Sequence, residues 1–138
     1  MKCLGMDLGT KTLGLATSDR SGLIASPYKL IRFKNVDDAI NEVLEIIQKE
    51  KIEVLVLGLP KNMDNSLGFA SERSLSFKEK LESKQGLKVN LIDERLSTVE
   101  AENILINADV SRKKRKNVID EISACIILDT YLRKEGNK

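Results

Sequence analysis

The hydrophobic pattern of this chain changes period near residue 35, and that change restricts what it can fold into. Residues 2–8 read as a buried strand, with Cys3, Leu4, Met6 and Leu8 around Gly5. Gly9-Thr10-Lys11 turns the chain, and "TLGLATS" at 12–18 alternates as a second strand. Turn chemistry at Asp19 and Gly22 precedes "LIASPYKLI", a third strand whose Pro27 points to a sheet edge or a bulge. Three strands with short connections predict an antiparallel meander. From there the spacing becomes helical: Val36, Ile40, Val43, Leu44 and Ile47 share a stripe, with Asn35 as the cap.

The remainder alternates. "IEVLVLG" at 52–58 is a continuous apolar run, as expected of a strand covered on both faces. Residues 59–68 read as a polar loop. Ala70, Ser74, Phe77 and Leu81 mark a second helix, and "LKVNLID" at 87–93 a further strand. "STVE" at 97–100 is a capping box that opens a third helix to about residue 107. Val118, Ile122, Cys125 and Ile126 line a last helix ended by Gly136. The order predicts an α/β fold, a mixed sheet with helices on its faces. With 138 residues, no repeat and no linker, one domain over 1–138 is expected. The five cations Arg112, Lys113, Lys114, Arg115 and Lys116 form the best candidate for local disorder.

Composition removes whole classes of chemistry. The chain has no histidine, which excludes histidine triads, His-rich zinc sites and imidazole bases. Its two cysteines, Cys3 and Cys125, sit in apolar stretches and make neither a disulfide framework nor a zinc spacing. No apolar run reaches the length of a membrane span. "MKCLGMDLGT" lacks the long apolar core of a signal peptide, so a cytoplasmic protein without membrane contact is expected.

What chemistry remains falls to carboxylates. A lone acid inside an apolar strand is costly unless it is compensated, and Asp7 is such an acid. In open α/β sheets function gathers at the carboxyl ends of parallel strands. There stand Asp7 and the pair Asp93 and Glu94, while Asp120 lies near the start of the last helix. Ser123, Ala124 and Ile127 share its face by spacing, and small residues there let the helix approach the sheet. Hard oxygen donors without histidine suit Mg²⁺ or Mn²⁺. Two such ions about 3.5–4 Å apart serve phosphodiester cleavage.

The acids also have plain structural readings, which fit Asp7 least because apolar residues flank it. Asp120 is equally a first-turn acid favouring the helix dipole, and Asp93 and Glu94 are equally loop residues after a strand. Lys11, Arg95 and the run 112–116 are candidates to hold phosphates; their alternatives are salt bridges and a solvated patch. With aromatic residues at 4%, base stacking is not expected to carry affinity, and contacts would go to the nucleic-acid backbone.

"GMDLGTKTLGLATSD", "VLGLPKNMDNSLG", "LIDERLSTVEAENIL" and "SRKKRKNVIDEISACIILDTYL" resemble, in order and over nearly the whole chain, four motifs of the YqgF (RuvX) family. Its members are described as Holliday junction resolvases or pre-16S ribosomal RNA nucleases. The resemblance implies an RNase H-like fold: a five-stranded mixed sheet, the first three strands antiparallel, with helices on both faces. It implies metal ligands at Asp7, Glu94 and Asp120, with Asp93 as the alternative to Glu94, since adjacent strand residues point to opposite faces. Ser97 departs from a usual threonine and Ser123-Ala124 from Ala-Ala; both changes are small. The implied role is a metal-dependent nuclease maturing the 5′ end of 16S rRNA in the bacterial cytoplasm, or one acting on four-way DNA junctions.

Two other classes stay open. A non-cleaving RNA-binding assembly factor would carry the same residues. "DLGTK" at 7–11 also resembles the phosphate loop of actin-like and sugar kinases, although those need two such lobes. A junction resolvase requires two sites and hence a homodimer, an end-trimming nuclease only a monomer.

Overall fold

In the computed structural model the described residues are 1–59, 69–93 and 112–134; for 69, 70 and 112–121 the backbone alone is described. Five strands, β1 (Cys3–Leu8), β2 (Thr12–Ser18), β3 (Ala25–Arg32), β4 (Val54–Leu59) and β5 (Val89–Asp93), form one sheet in the order β3-β2-β1-β4-β5. β1, β2 and β3 pair antiparallel; β4 runs parallel to β1, and β5 parallel to β4. The helices are α1 (Val36–Glu50), α2 (Phe69–Lys84) and α3 (Arg112–Lys134). The helix expected at 97–107 lies outside the described residues.

Short-range chemistry fixes the ends of these elements. The Asn35 side chain accepts from the Asp37 N–H at 2.9 Å and caps α1. Asp19 organises the β2–β3 turn: its carboxylate accepts from the Leu23 and Ile24 N–H groups and from the Ser21 hydroxyl. Those bonds, the Ser21 hydroxyl first, hold its pKa at about 2. β3 is an edge strand, and its register with β2 shifts between Leu15, opposite Lys29, and Ala16, opposite Pro27. Pro27 therefore sits both at an edge and beside a bulge, where its missing N–H costs no ladder bond.

Alternation along the strands sorts side chains onto two faces. Leu4, Met6 and Leu8 of β1 join Leu55, Leu57 and Val89 in a cluster closed by Ile40 and Val43 of α1 and Phe77 and Leu81 of α2. Cys3, Ala16, Val56 and Ile92 point the other way and meet Ala124, Ile127, Leu128 and Leu132 of α3. An ideal Cβ on Gly5 would lie 2.7 Å from Leu128 Cβ and 2.9 Å from the Ala124 carbonyl oxygen. Only a residue without a side chain lets α3 come this close to β1.

One expectation is corrected here. The cationic stretch from Arg112 is helical, not disordered. Arg and Lys are good helix formers, and the packed segment from Ser123 to Leu132 supplies the nucleus from which the helix extends backwards.

Candidate metal and nucleic-acid site

Because β1, β4 and β5 are parallel, their carboxyl ends open on one edge of the sheet. Asp7 stands one residue before the end of β1, half-buried. It shares parity with Cys3 and Gly5, so it belongs to the α3 face. Asp7 pairs across the ladder with Gly14, a partner that has no side chain.

Asp93 ends β5 opposite Leu59 of β4. It shares parity with Val89 and Leu91, which pack toward α1 and α2, whereas Ile92 packs toward α3. Strand alternation thus puts Asp93 on the face opposite Asp7. Glu94 and Arg95 lie outside the described residues.

Asp120 lies on the described backbone of α3, four residues before Ala124 and eight before Leu128. Residues at that spacing form one stripe of a helix, and Ala124 and Leu128 are the residues pressed on Gly5. The backbone position of Asp120 is therefore about 6 Å along the helix from Ala124, on the stripe that meets β1. Ser123, three residues on, is buried, and its hydroxyl has no hydrogen-bond partner among the described residues. Arg112, Lys113, Lys114, Arg115 and Lys116 occupy the first turns of the same helix.

The β1–β2 turn forms the rim. The Gly9 N–H donates to the Thr12 carbonyl at 2.7 Å, and an ideal Cβ on Gly9 would lie 2.7 Å from Thr12 Oγ1. A side chain at Gly9 would have to displace the Thr12 hydroxyl, while the Thr12 carbonyl oxygen would stand 3.5 Å away. Lys11 is exposed on this turn, with its carbonyl accepting from the Phe33 N–H at 3.0 Å. Arg73 of α2 reaches the same turn, its Nη1 donating to Thr10 Oγ1 at 3.1 Å. The sequence reading missed Arg73, whose partner Thr10 lies 63 residues away in the chain.

Asp7 is a hard oxygen donor near a strand end, in a chain without histidine. Among the described residues no three His, Cys, Asp or Glu side chains form a metal-sized group; the side chains of Glu94 and Asp120 are not among them. The residues present suit Mg²⁺ or Mn²⁺ and do not suit a thiolate or imidazole metal. Among the described residues no helix is long and apolar enough to cross a membrane.

Comparison with known proteins adds to this geometry. A family profile described as "RuvX: Holliday junction resolvase" matches residues 1–134. A protein of Staphylococcus aureus (strain N315), named "Putative pre-16S rRNA nuclease", is 46% identical over 134 residues, which is 95% of this chain and 94% of the relative. T. thermophilus RuvC in complex with a Holliday junction substrate aligns with TM-score 0.62 at 15% identity, over 99% of this chain and 96% of that one. The fowlpox virus resolvase, solved with Holliday junction DNA, aligns with TM-score 0.56 at 13% identity, over 98% and 99%. At such identities the likeness concerns the fold, and it bears out the RNase H-like sheet.

Proposed function

The chain belongs to the RuvX family of Holliday junction resolvases, and on that premise we propose that it is a cytoplasmic, metal-dependent nuclease processing the 5′ end of pre-16S rRNA. The observation that carries the reading is the approach of α3 to Gly5. The α3 stripe pressed on Gly5 continues to the backbone position of Asp120, and Asp7 has the parity of that same face, which supports the two acids acting together.

In this reading Asp7, Glu94 and Asp120 hold Mg²⁺ or Mn²⁺. The ion, when bound, supplies Lewis-acid stabilisation of the phosphodiester and of the attacking water. Asp7 contributes a carboxylate carried on backbone that the β1–β2 ladder holds in place. Lys11, on the rim, balances phosphate charge. Arg95 and the cations from Arg112 to Lys116 extend that role along the strand by contacts that carry no sequence information. Glu94 is preferred to Asp93 because Asp93 has the parity of the other face.

Ribosomal RNA is preferred to DNA junctions because relatives at 46% identity bear the rRNA name. The junction reading draws on the family description and on the junction complexes among the structural neighbours. The test is cleavage of a pre-16S 5′ fragment and of a four-way DNA junction in Mg²⁺ or Mn²⁺, comparing the native protein with Asp7→Asn. Loss of about 10³-fold in rate, or some 4 kcal/mol of barrier, is expected from Asp7→Asn on the RNA. Equal cutting by both proteins would refute the site. Cutting of the junction alone would move the substrate to DNA. Tight RNA binding with no cutting by either would make the protein an assembly factor.

A further inference from the structure

Across the sheet from Asp7, beside the same turn, lies a cavity of about 140 Å³. Leu8, Phe33 and Phe77 give it apolar walls, and Thr10, Arg73 and Lys80 stand at it as polar groups. The chain has only three phenylalanines, and two of them meet here. An apolar cavity of about 150 Å³ accepts one benzene-sized ring. Its cations are not locked into strong pairs: Arg73 donates to the neutral Thr10 hydroxyl, and Lys80 lies 3.8 Å from Asp37 with both side chains about half exposed. Such an exposed pair is weak and gives way to a phosphate.

Leu8 follows Asp7 directly, so only the thickness of the strand separates the cavity from the proposed cutting site. A nucleic-acid strand crossing the Gly9–Lys11 turn from the α3 face arrives at this cavity. We propose that the cavity takes the base of an unpaired pyrimidine nucleotide next to the phosphodiester to be cut, stacked on Phe33, with Arg73 and Lys80 on its phosphate. The proposal deepens the nuclease reading and rests on it for the position of the cut. It also revises the expectation that stacking carries no affinity: aromatic residues are few, but they are concentrated.

Binding of twelve-nucleotide oligo-U and oligo-A RNA to the Asp7→Asn protein, followed by fluorescence anisotropy, tests this. Oligo-U is expected to bind severalfold more tightly. Phe33→Ala should weaken oligo-U by about tenfold, as loss of one stacked base does, and abolish the preference, while Phe33→Tyr retains both. Arg73→Gln should weaken both RNAs and lower the salt slope by about one. Phe33 is half-buried rather than central, and a thermal melt checks that each variant folds. Unchanged oligo-U affinity in Phe33→Ala, or no pyrimidine preference, overturns the pocket. The two readings fail separately. If Asp7→Asn abolishes cutting while Phe33→Ala leaves binding intact, the pocket falls and the nuclease stands. If native protein cuts nothing yet Phe33 governs binding, the nuclease falls and the pocket stands.

Discussion

The two faces of this sheet are covered by different means. Toward α1 and α2 the strands present Leu4, Met6, Leu55 and Leu57, met by Ile40, Phe77 and Leu81, a layer of large side chains. Toward α3 they present Cys3, Gly5, Ala16 and Val56, met by Ala124, Ile127 and Leu128. Side-chain volume sets how far a helix stands from a sheet. The first face buys stability with bulk; the second gives up bulk so that a helix backbone can touch β1. Asp7 has the parity of the close face, and the backbone of α3 at Asp120 continues the stripe pressed on that face.

Leu57→Ala and Gly5→Ala, measured together by urea unfolding, are the strongest way to break that contrast. Leu57→Ala removes a fully buried side chain and should cost about 3–4 kcal/mol through a cavity. Gly5→Ala adds one methyl where there is no room and should cost about 1–3 kcal/mol. The second change should also lower nuclease activity in molecules that remain folded, because it pushes α3 off β1; Leu57→Ala should not. A neutral Gly5→Ala would show that the close approach is not required.

A smaller effect sharpens the same comparison at the edge of the bulky face. Glu82 of α2 accepts from the Val89 N–H at 2.8 Å and from Lys78 Nζ at 2.9 Å, tying the helix to the start of β5. These bonds, the Val89 N–H first, hold its pKa below the ordinary value of 4.5. A lowered folded-state pKa means stability that is present above the unfolded value and is lost as pH falls through the folded one. Glu82→Gln should therefore cost on the order of 1 kcal/mol at neutral pH. Its unfolding midpoint should also change less than that of the native protein between neutral pH and acid below 4.5. A parallel pH dependence in both would remove Glu82 from the account.

Most of the scaffold was legible because local chemistry decides it. β2 runs over the residues that alternate, Asn35 caps α1, and Asp19 and Gly22 make their turn, Gly22 at φ 74°. Pro27 marked both the edge and the bulge. What was not legible depends on tertiary packing. The cations from Arg112 looked like a solvated, disordered run because like charges repel; a helix nucleated further along overrides that. Gly5 reads as one more residue of an apolar strand until a helix is seen against it. Arg73 reaches a turn 63 residues away in sequence, which no local pattern reports. The face to which Asp93 belongs could be read only once Val89 and Ile92 were assigned to theirs.

Calorimetric titration of Mn²⁺ into the native protein, Asp7→Asn and Asp93→Asn tests most directly whether the close face holds the ion. Saturable binding should be seen in the native protein and in Asp93→Asn, and should be lost in Asp7→Asn. Binding that survives Asp7→Asn and disappears in Asp93→Asn would put the ion on the other face and contradict the account.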